Sequence, residues 1–422
     1  MKNGIFKASV VVALLGITAS GCSTASREKA DSRMPLLLGE TLLADDSVHV
    51  NAHGGMIMEK DGVFYWYGEH RGDGTPGSMQ QGVSLYTSAD LRNWKNRGIV
   101  LQLLDSVGHP LELGCKIERP KVVYNPTTGK YVMWFHHELK DRGYAAAQAG
   151  VAVADTPEGP FEFIRSARVN PGVYPENLSE EDRNAAWDPE MEWWTEPWYG
   201  QLRRGSFVKR DLDGGQMARD MTIYVDKDGR AYHIYSSEDN LTLQIAELDP
   251  TYTDHTGRYI RVAPGGHNEA PTLMEHDGTY WMITSGCTGW APNAARLLRA
   301  DSIMGEWTQL DVNPARGEGA ETTFDTQGTY IMKIGDSFTF MADRWNPENL
   351  GDSRHVWIPV RFDESGNPYL EMPVDTETVT AEQVVHQGVE EKQRIHINDR
   401  HIFSSFGTSY YRSLTGKKRS EF

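Results

Sequence analysis

Strand-length runs of aromatic and aliphatic residues recur along the chain, each opened by a turn that contains glycine. Five share one pattern. Asp61-Gly62 leads to Phe64-Tyr65-Trp66-Tyr67, and Gly129 leads to Tyr131-Val132-Met133-Trp134. Asp228-Gly229 leads to Tyr232-His233-Ile234-Tyr235, Asp277-Gly278 to Tyr280-Trp281-Met282-Ile283, and Gly335-Asp336 to Phe338-Thr339-Phe340-Met341. Asp-Gly between apolar runs is the strongest short-range hairpin signal. A further strand-like segment follows, as in Val83–Tyr86, Val151–Ala154 and Leu243–Ala246. The unit returns every ~50 to 100 residues, the spacing of blades built from several strands. No long segment carries the apolar period of a helix. The pattern predicts an all-β chain, a five-bladed β-propeller over residues 37–376. Residues 165–215 interrupt it as an insertion too long for an ordinary connection. It carries Trp187, Trp193, Trp194 and Trp198, and either walls one side of a pocket or packs as a surface excursion.

The ends of the 422-residue chain read differently. Lys2 and Lys7 precede an apolar stretch, Val10 to Ile17, of signal-peptide length. Ala19-Ser20-Gly21-Cys22 resembles a bacterial lipobox, which implies lipidation of Cys22 after cleavage; a plain secretory signal is the competing reading. Ser23 in place of Asp resembles outer-membrane routing, so the expectation is an exported protein, anchored in the outer membrane or periplasmic, in a Gram-negative bacterium. Residues 23–36 read as a tether, and 377–422 as a closing segment with a basic tail.

A formal net charge of −17 argues against nucleic acid, whose backbone would be repelled. It fits a neutral oligo- or polysaccharide better. We expect a monomer that meets a membrane only through its lipid. Besides Cys22 there are Cys115 and Cys287, which either form one disulfide in an oxidising compartment or stay buried as thiols.

Propellers gather functional groups around a central channel, so the residues that precede each hairpin matter most. Those stretches are Asn51-Ala52-His53-Gly54-Gly55, Glu118-Arg119-Pro120-Lys121, Arg219-Asp220-Met221-Thr222, Asn268-Glu269-Ala270-Pro271, and Thr322 through Gln327. Five polar clusters in step point to one shared site. Glu118, Asp220 and Glu269 supply carboxylates. Cleavage of a glycosidic bond needs an acid for the leaving oxygen and a group that directs water. Crowded carboxylates push their pKa values apart and leave one protonated near neutrality. A calcium site or a buried polar network is the alternative for the same residues.

Together these motifs resemble glycoside hydrolase family 43, five-bladed propeller enzymes that invert the anomeric centre. The likeness spans roughly residues 45 to 360 and is greatest to the exo-β-1,3-galactanase branch. It rests on Tyr67-Gly68-Glu69-His70, Ile117 to Val122, Arg219 to Thr222, Ser236-Ser237-Glu238-Asp239-Asn240, Ser285 to Trp290, and Asp343-Arg344-Trp345. The resemblance implies Glu269 as general acid, with Asp220 tuning its pKa. Most of the family has an Asp base before the first hairpin, where this chain has Asn51-Ala52-His53-Gly54. The galactanase branch shares that departure and is thought to use a Gln, through its imidic acid tautomer, at the place of Gln327. Glu118 matches a further acid of the branch. Glu69 and Asn240 look like sugar ligands. Thr288 and Trp290 are expected to line the same subsite, with Trp290 stacking on a ring. His53 is a ligand or a structural histidine, and Arg344 and Trp345 take a channel role, with an Arg–carboxylate structural pair as the alternative for Arg344. No cofactor is required by this chemistry, and Ca²⁺ in the channel stays open. The competing functions are an α-L-arabinofuranosidase, β-xylosidase or galactofuranosidase of the same fold, and a non-catalytic glycan-binding lipoprotein.

Overall fold

The computed structural model describes residues 35–72 and 80–373. Cys22, residues 1–34 and the segment 377–422 lie outside the described residues. The rest is five sheets arranged as a five-bladed β-propeller, antiparallel but for one short parallel pair in the fifth, Ala315–Arg316 beside Leu370 and Glu371. The innermost strands are His53–Lys60, Lys116–Asn125, Met221–Val225, Asn268–His276 and Gln327–Ile334. Each is followed by the aromatic strand of its hairpin: Val63–His70, Lys130–Glu138, Ala231–Ser237, Thr279–Gly286 and Ser337–Arg344. Asp61-Gly62 and Asp277-Gly278 turn with positive φ at both residues (53° and 77°, 50° and 80°), the backbone a two-residue I′ hairpin needs.

The aromatic strands read as continuous apolar runs because both faces are covered by neighbouring blades. Side chains alternate across a strand. In the first blade Tyr65 and Tyr67 pack toward the second with Val122, Met133 and Phe135. Trp66, between them, faces the fifth with Trp94, Met341 and Trp357. Trp134 points the other way from Phe135 and joins Met221, Ile223 and Tyr235 between blades two and three. Ile234, Tyr280 and Met282 fill the next gap, and Trp281, Ile283, Phe338 and Phe340 the last. Five apolar wedges thus space five sheets around an axis and leave the inner strand ends to converge there. The fifth blade also takes in the N-terminal side of the chain, with Leu37–Leu38 paired antiparallel to Val356 and Trp357.

The 165–215 insertion folds as three short helices, Glu180–Asn184, Glu196–Arg203 and Ser206–Arg210. Ser179 and Thr195 cap the first two by accepting from backbone N–H groups. Trp193, Trp194, Trp198 and Phe207 pack there with Leu241 of the third blade.

Candidate active site

The inner strands share a device at their axial ends. The register slips after His53, after Glu118 and after Glu269. In each case the next residue is left-handed: Gly54 at φ 58°, Arg119 at 55° and Ala270 at 51°. A bulge re-aims the preceding side chain, and here it turns three polar side chains toward the axis. A methyl group at Gly54 would run into the Glu69 carboxylate, so that position needs glycine on two counts.

Arg119 is the hub of what converges. Its Nη1 donates to Gly328 O at 2.7 Å and its Nη2 to Gln327 Oε1 at 2.5 Å. Nη2 also lies 3.2 Å from Asp220 Oδ2. The same Asp220 oxygen accepts the Ala270 N–H at 3.1 Å and so pins the bulge that carries Glu269. Gln327 is held on four sides. Its Nε2 donates to Glu269 Oε1 and to Ser285 Oγ, both at 3.0 Å, and its Oε1 also accepts from Trp345 Nε1 at 3.0 Å. Asn240 Nδ2 donates to the other Glu269 oxygen at 3.3 Å. Burial, and then the Asp220 charge, push the Glu269 carboxyl up to about 8, against the opposing pull of Arg119 and of hydrogen bonds from Cys287 and Gln327. Burial thus favours the protonated form of Glu269 near neutral pH.

Glu118 sits on the other side of Arg119. It accepts from Tyr144 Oη at 2.9 Å and lies 3.1 Å from His136 Nδ1 and 3.4 Å from Arg71 Nη2. Burial alone would raise its pKa; His136 and Arg71 outweigh burial and hold it anionic, well below the usual carboxylate range. His136 in turn hydrogen-bonds Glu138 through Nε2 at 2.9 Å. Burial would lower the His136 pKa, but the two glutamates raise it to about 9.

Beneath this layer lies a second, fully buried one. His53 stacks on His355 at 4.9 Å between ring centres, with its Nδ1 3.6 Å from Asp343 Oδ1. His355 Nδ1 is 2.9 Å from the same oxygen, and the Gly54 N–H donates to Asp343 Oδ2. His53 has no exposed surface, so it shapes the site from below, with the Trp345 ring 5.9 Å away. Lys121, also wholly buried, donates to Gly54 O and Arg119 O at 2.8 and 3.3 Å and ties two of the bulges together.

Among the described residues two groupings bring possible metal ligands together: His53, Asp343 and His355, and Glu118, His136 and Asp220. Calcium takes six to eight oxygen ligands. Neither set is of that kind, and His136, Arg71 and Arg119 already neutralise the carboxylates. The residues present do not fit Ca²⁺.

The rim is aromatic. Trp290 and Trp345 meet edge to face at 5.2 Å. With Asn293, Asp325, Gln327 and Arg344 they line a cavity of about 280 Å³. Among the described residues Arg344 pairs with no carboxylate; its guanidinium donates to the main-chain oxygens of Phe324 and Leu38. Thr288 lies in the loop of Trp290, but its hydroxyl is used inside that loop, with Ala291 O and Asn293. Glu69 is also turned inward. It is 1% exposed, ion-paired with Arg71, and accepts the Arg119 N–H at 2.9 Å. It therefore acts on the site by fixing Arg119. Cys115 and Cys287 are both free thiols, so no disulfide joins them. Burial raises the Cys115 thiol to about 12.

Glu118, Asp220, Glu269 and Gln327 thus meet at one place, as their positions in the five repeats imply. Trp345, for which the sequence implies a channel role beside Arg344, belongs to the same cluster through its bond to Gln327. Arg119, Tyr144 and His136 also belong to it and carry no role in the sequence reading. Arg119 had a readable signal: three converging carboxylates require a cation, and it directly follows Glu118.

Comparison with known proteins gives the same picture. The model of glycosyl hydrolases family 43 matches residues 50–330. A family 43 β-1,3-galactosidase solved with galactodeoxynojirimycin is 55% identical, with a TM-score of 0.78 over 80% of this chain and 99% of that one. An exo-β-1,3-galactanase from Clostridium thermocellum is 33% identical (TM-score 0.64, 79% of this chain and 64% of that one). One from Phanerochaete chrysosporium, solved with β-1,3-galactotriose, is 29% identical (TM-score 0.63, 79% and 66%). A curated relative, a β-D-galactofuranosidase from Aspergillus niger, is 24% identical over 156 residues; the match spans 36% of this chain and 45% of that protein. With its five blades, its axial acids and a family match over most of the propeller, the chain belongs to glycoside hydrolase family 43.

Proposed function

We propose that this protein is an inverting, exo-acting glycosidase that releases galactose from the non-reducing end of β-1,3-linked galactan. The observation that carries this reading is a buried Glu269 that accepts a hydrogen bond from Gln327, in a channel that lacks a carboxylate at the start of the first inner strand. Glu269 gives its proton to the glycosidic oxygen as the bond to C1 breaks. Asp220 keeps that proton available near neutrality and holds the bulge that aims it. Gln327, fixed by Arg119, Ser285 and Trp345, positions the water that attacks C1 from the opposite face. An amide has little proton affinity, so positioning supplies more of the acceleration than base strength does. Glu118, kept anionic, is the second candidate for the proton the water loses. The cavity of about 280 Å³ is at the low end of ligand pockets, and a space of that scale holds one hexose rather than a long chain. Asn240, Arg344 and Trp290 are proposed to contact the sugar or its linkage, with Trp290 offering a ring face. The galactanases similar in sequence and structure support the choice of substrate.

Incubation with β-1,3-galactobiose tests the proposal, with the first anomer of galactose read by NMR. Release of α-galactose is expected. Cleavage of arabinofuranosides or galactofuranosides with no action on galactobiose would assign another sugar. Binding without turnover, unchanged in Glu269→Gln, would make the protein a glycan receptor.

We also propose export and lipid anchoring through Cys22, on the strength of the charged, apolar and lipobox segments in order. Incorporation of labelled palmitate that persists in Cys22→Ala would rule this out.

A further inference from the structure

Glu238, Asp239 and Asn240 are three consecutive non-glycine residues with left-handed backbone, at φ 50°, 58° and 63°. Left-handed backbone is disfavoured for residues that carry a Cβ, so something must hold this turn. The holders come from two places. Arg261, on the outer strand of the third blade, grips Glu238 with both arms, Nε to Oε1 and Nη2 to Oε2, each at 2.7 Å. The same guanidinium donates to Arg203 O and Leu202 O at 2.8 Å. Those carbonyls end the insertion helix Glu196–Arg203, where main-chain oxygens lack intrahelical partners and a cation is favoured. The next insertion helix supplies Arg210, whose Nη1 donates to Asp239 Oδ2 at 2.6 Å. Leu241 closes the turn by packing on Trp198, Leu202 and Phe207 of the insertion. The third residue of the turn, Asn240, donates to Glu269. A separate contact, Tyr199 Oη to His267 Nε2 at 3.1 Å, joins the insertion to the segment that leads into Glu269.

We infer that the 165–215 insertion is a brace for the general acid: through Arg261, Glu238 and Arg210 it sets the turn that places Asn240 against Glu269. Arg261, Glu238 and Arg210 are positioning residues; none touches the proposed reacting atoms. The inference rests on the reading of Glu269 as the acid. It gives a reason for a long excursion whose Trp193, Trp194 and Trp198 pack apart from the inter-blade wedges and from the described cavity.

The test uses the full chain with Arg210→Ala, Arg261→Met and the double variant Arg261→Met/Glu238→Gln, which leaves no buried unpaired charge. Arg210 is partly exposed and its loss keeps the Glu238–Arg261 pair, so this variant is expected to fold. Expected is a fall in kcat on β-1,3-galactobiose of about tenfold, with a rise in KM because the displaced Asn240 also faces the sugar. The Glu269 titration, read by carboxyl NMR on the free protein, should move up, because the Asn240 donor favours the charged acid. Asn240→Ala should give the same shift, and the brace variants should add nothing in that background. Folded variants with wild-type kcat and wild-type Glu269 titration would overturn the inference, as would effects that multiply with those of Asn240→Ala. If the wild type cleaves no galactobiose, the functional reading fails, and the Glu269 titration still decides the brace.

Discussion

Gln327 Nε2 donates directly to Glu269 Oε1 at 3.0 Å. In inverting glycosidases the two groups that flank the bond stand about 6.5–9.5 Å apart, with sugar and water between them. Here they touch, so a substrate enters by parting them. Gln327→Ala should lower kcat on β-1,3-galactobiose by roughly 10²–10⁴-fold, the range for loss of a group that handles a proton or its water. The Gln327 N–H favours ionised Glu269, so the alkaline limb of the pH profile should also move up. A variant with near-normal kcat and an unmoved limb would remove Gln327 from the mechanism.

The general acid must be protonated to work. With Glu269 held at about 8, by burial first and Asp220 second, kcat/KM should be level below pH 8 and fall above it. Asp220→Asn removes the charge that keeps the proton on, so the limb should move to lower pH as activity drops. Glu269→Gln should lose most on galactobiose and much less on an aryl galactoside whose leaving group needs no proton. Equal losses on both substrates would show that Glu269 is not the proton donor.

The blades were legible because each hairpin announces itself twice, through its turn and through an aromatic run buried on both faces. The axial clusters were legible because the repeats put them in step. What stayed hidden depends on pairing across distance. Arg119 meets Gly328 and Gln327 from more than 200 residues away, and nothing local to Glu118-Arg119-Pro120 shows it. Glu69 looked like a sugar ligand from its motif, yet Arg71, two residues on, turns it into a buried ion pair. The insertion's tryptophans left a pocket wall and a packed excursion both open; Trp193, Trp194 and Trp198 pack on Leu241, through helices too short to show a period.

Lys121 has no exposed surface and its Nζ donates to Gly54 O and Arg119 O. Lys121→Met keeps the stem and leaves both carbonyls without that donor. A buried polar group deprived of its partner costs about 1–3 kcal/mol, so a stability loss of roughly that size is expected in urea unfolding. Because both carbonyls belong to bulges that aim site residues, activity should fall further than stability alone would dictate at a temperature where the variant is folded. Full activity with a lowered unfolding midpoint would confine Lys121 to stability.

Acid should destabilise the fold before its carboxylates titrate. Burial lowers the pKa of His49, His53, His137, His233, His255 and His267, with His53, His137 and His267 at about 4 and His255 at about 3. Each is near 6.5 in the unfolded chain, which therefore takes up protons between pH 6.5 and 4 that the folded chain refuses. Stability is fully present above pH 6.5 and is lost as pH falls through that window, by of order 3 kcal/mol for a shift such as that of His53. Glu69 and Glu269, whose pKa values are raised, work in the opposite sense but are two groups against six. His136, raised to about 9, contributes its full stabilisation throughout this range and does not change the slope. The melting temperature should therefore drop between pH 7 and pH 5. His255→Gln, in the outer strand of the third blade and remote from the axis, should make that drop shallower without altering kcat. A melting temperature that is flat from pH 7 to 5 would show that these histidines are accessible to protons in the folded protein.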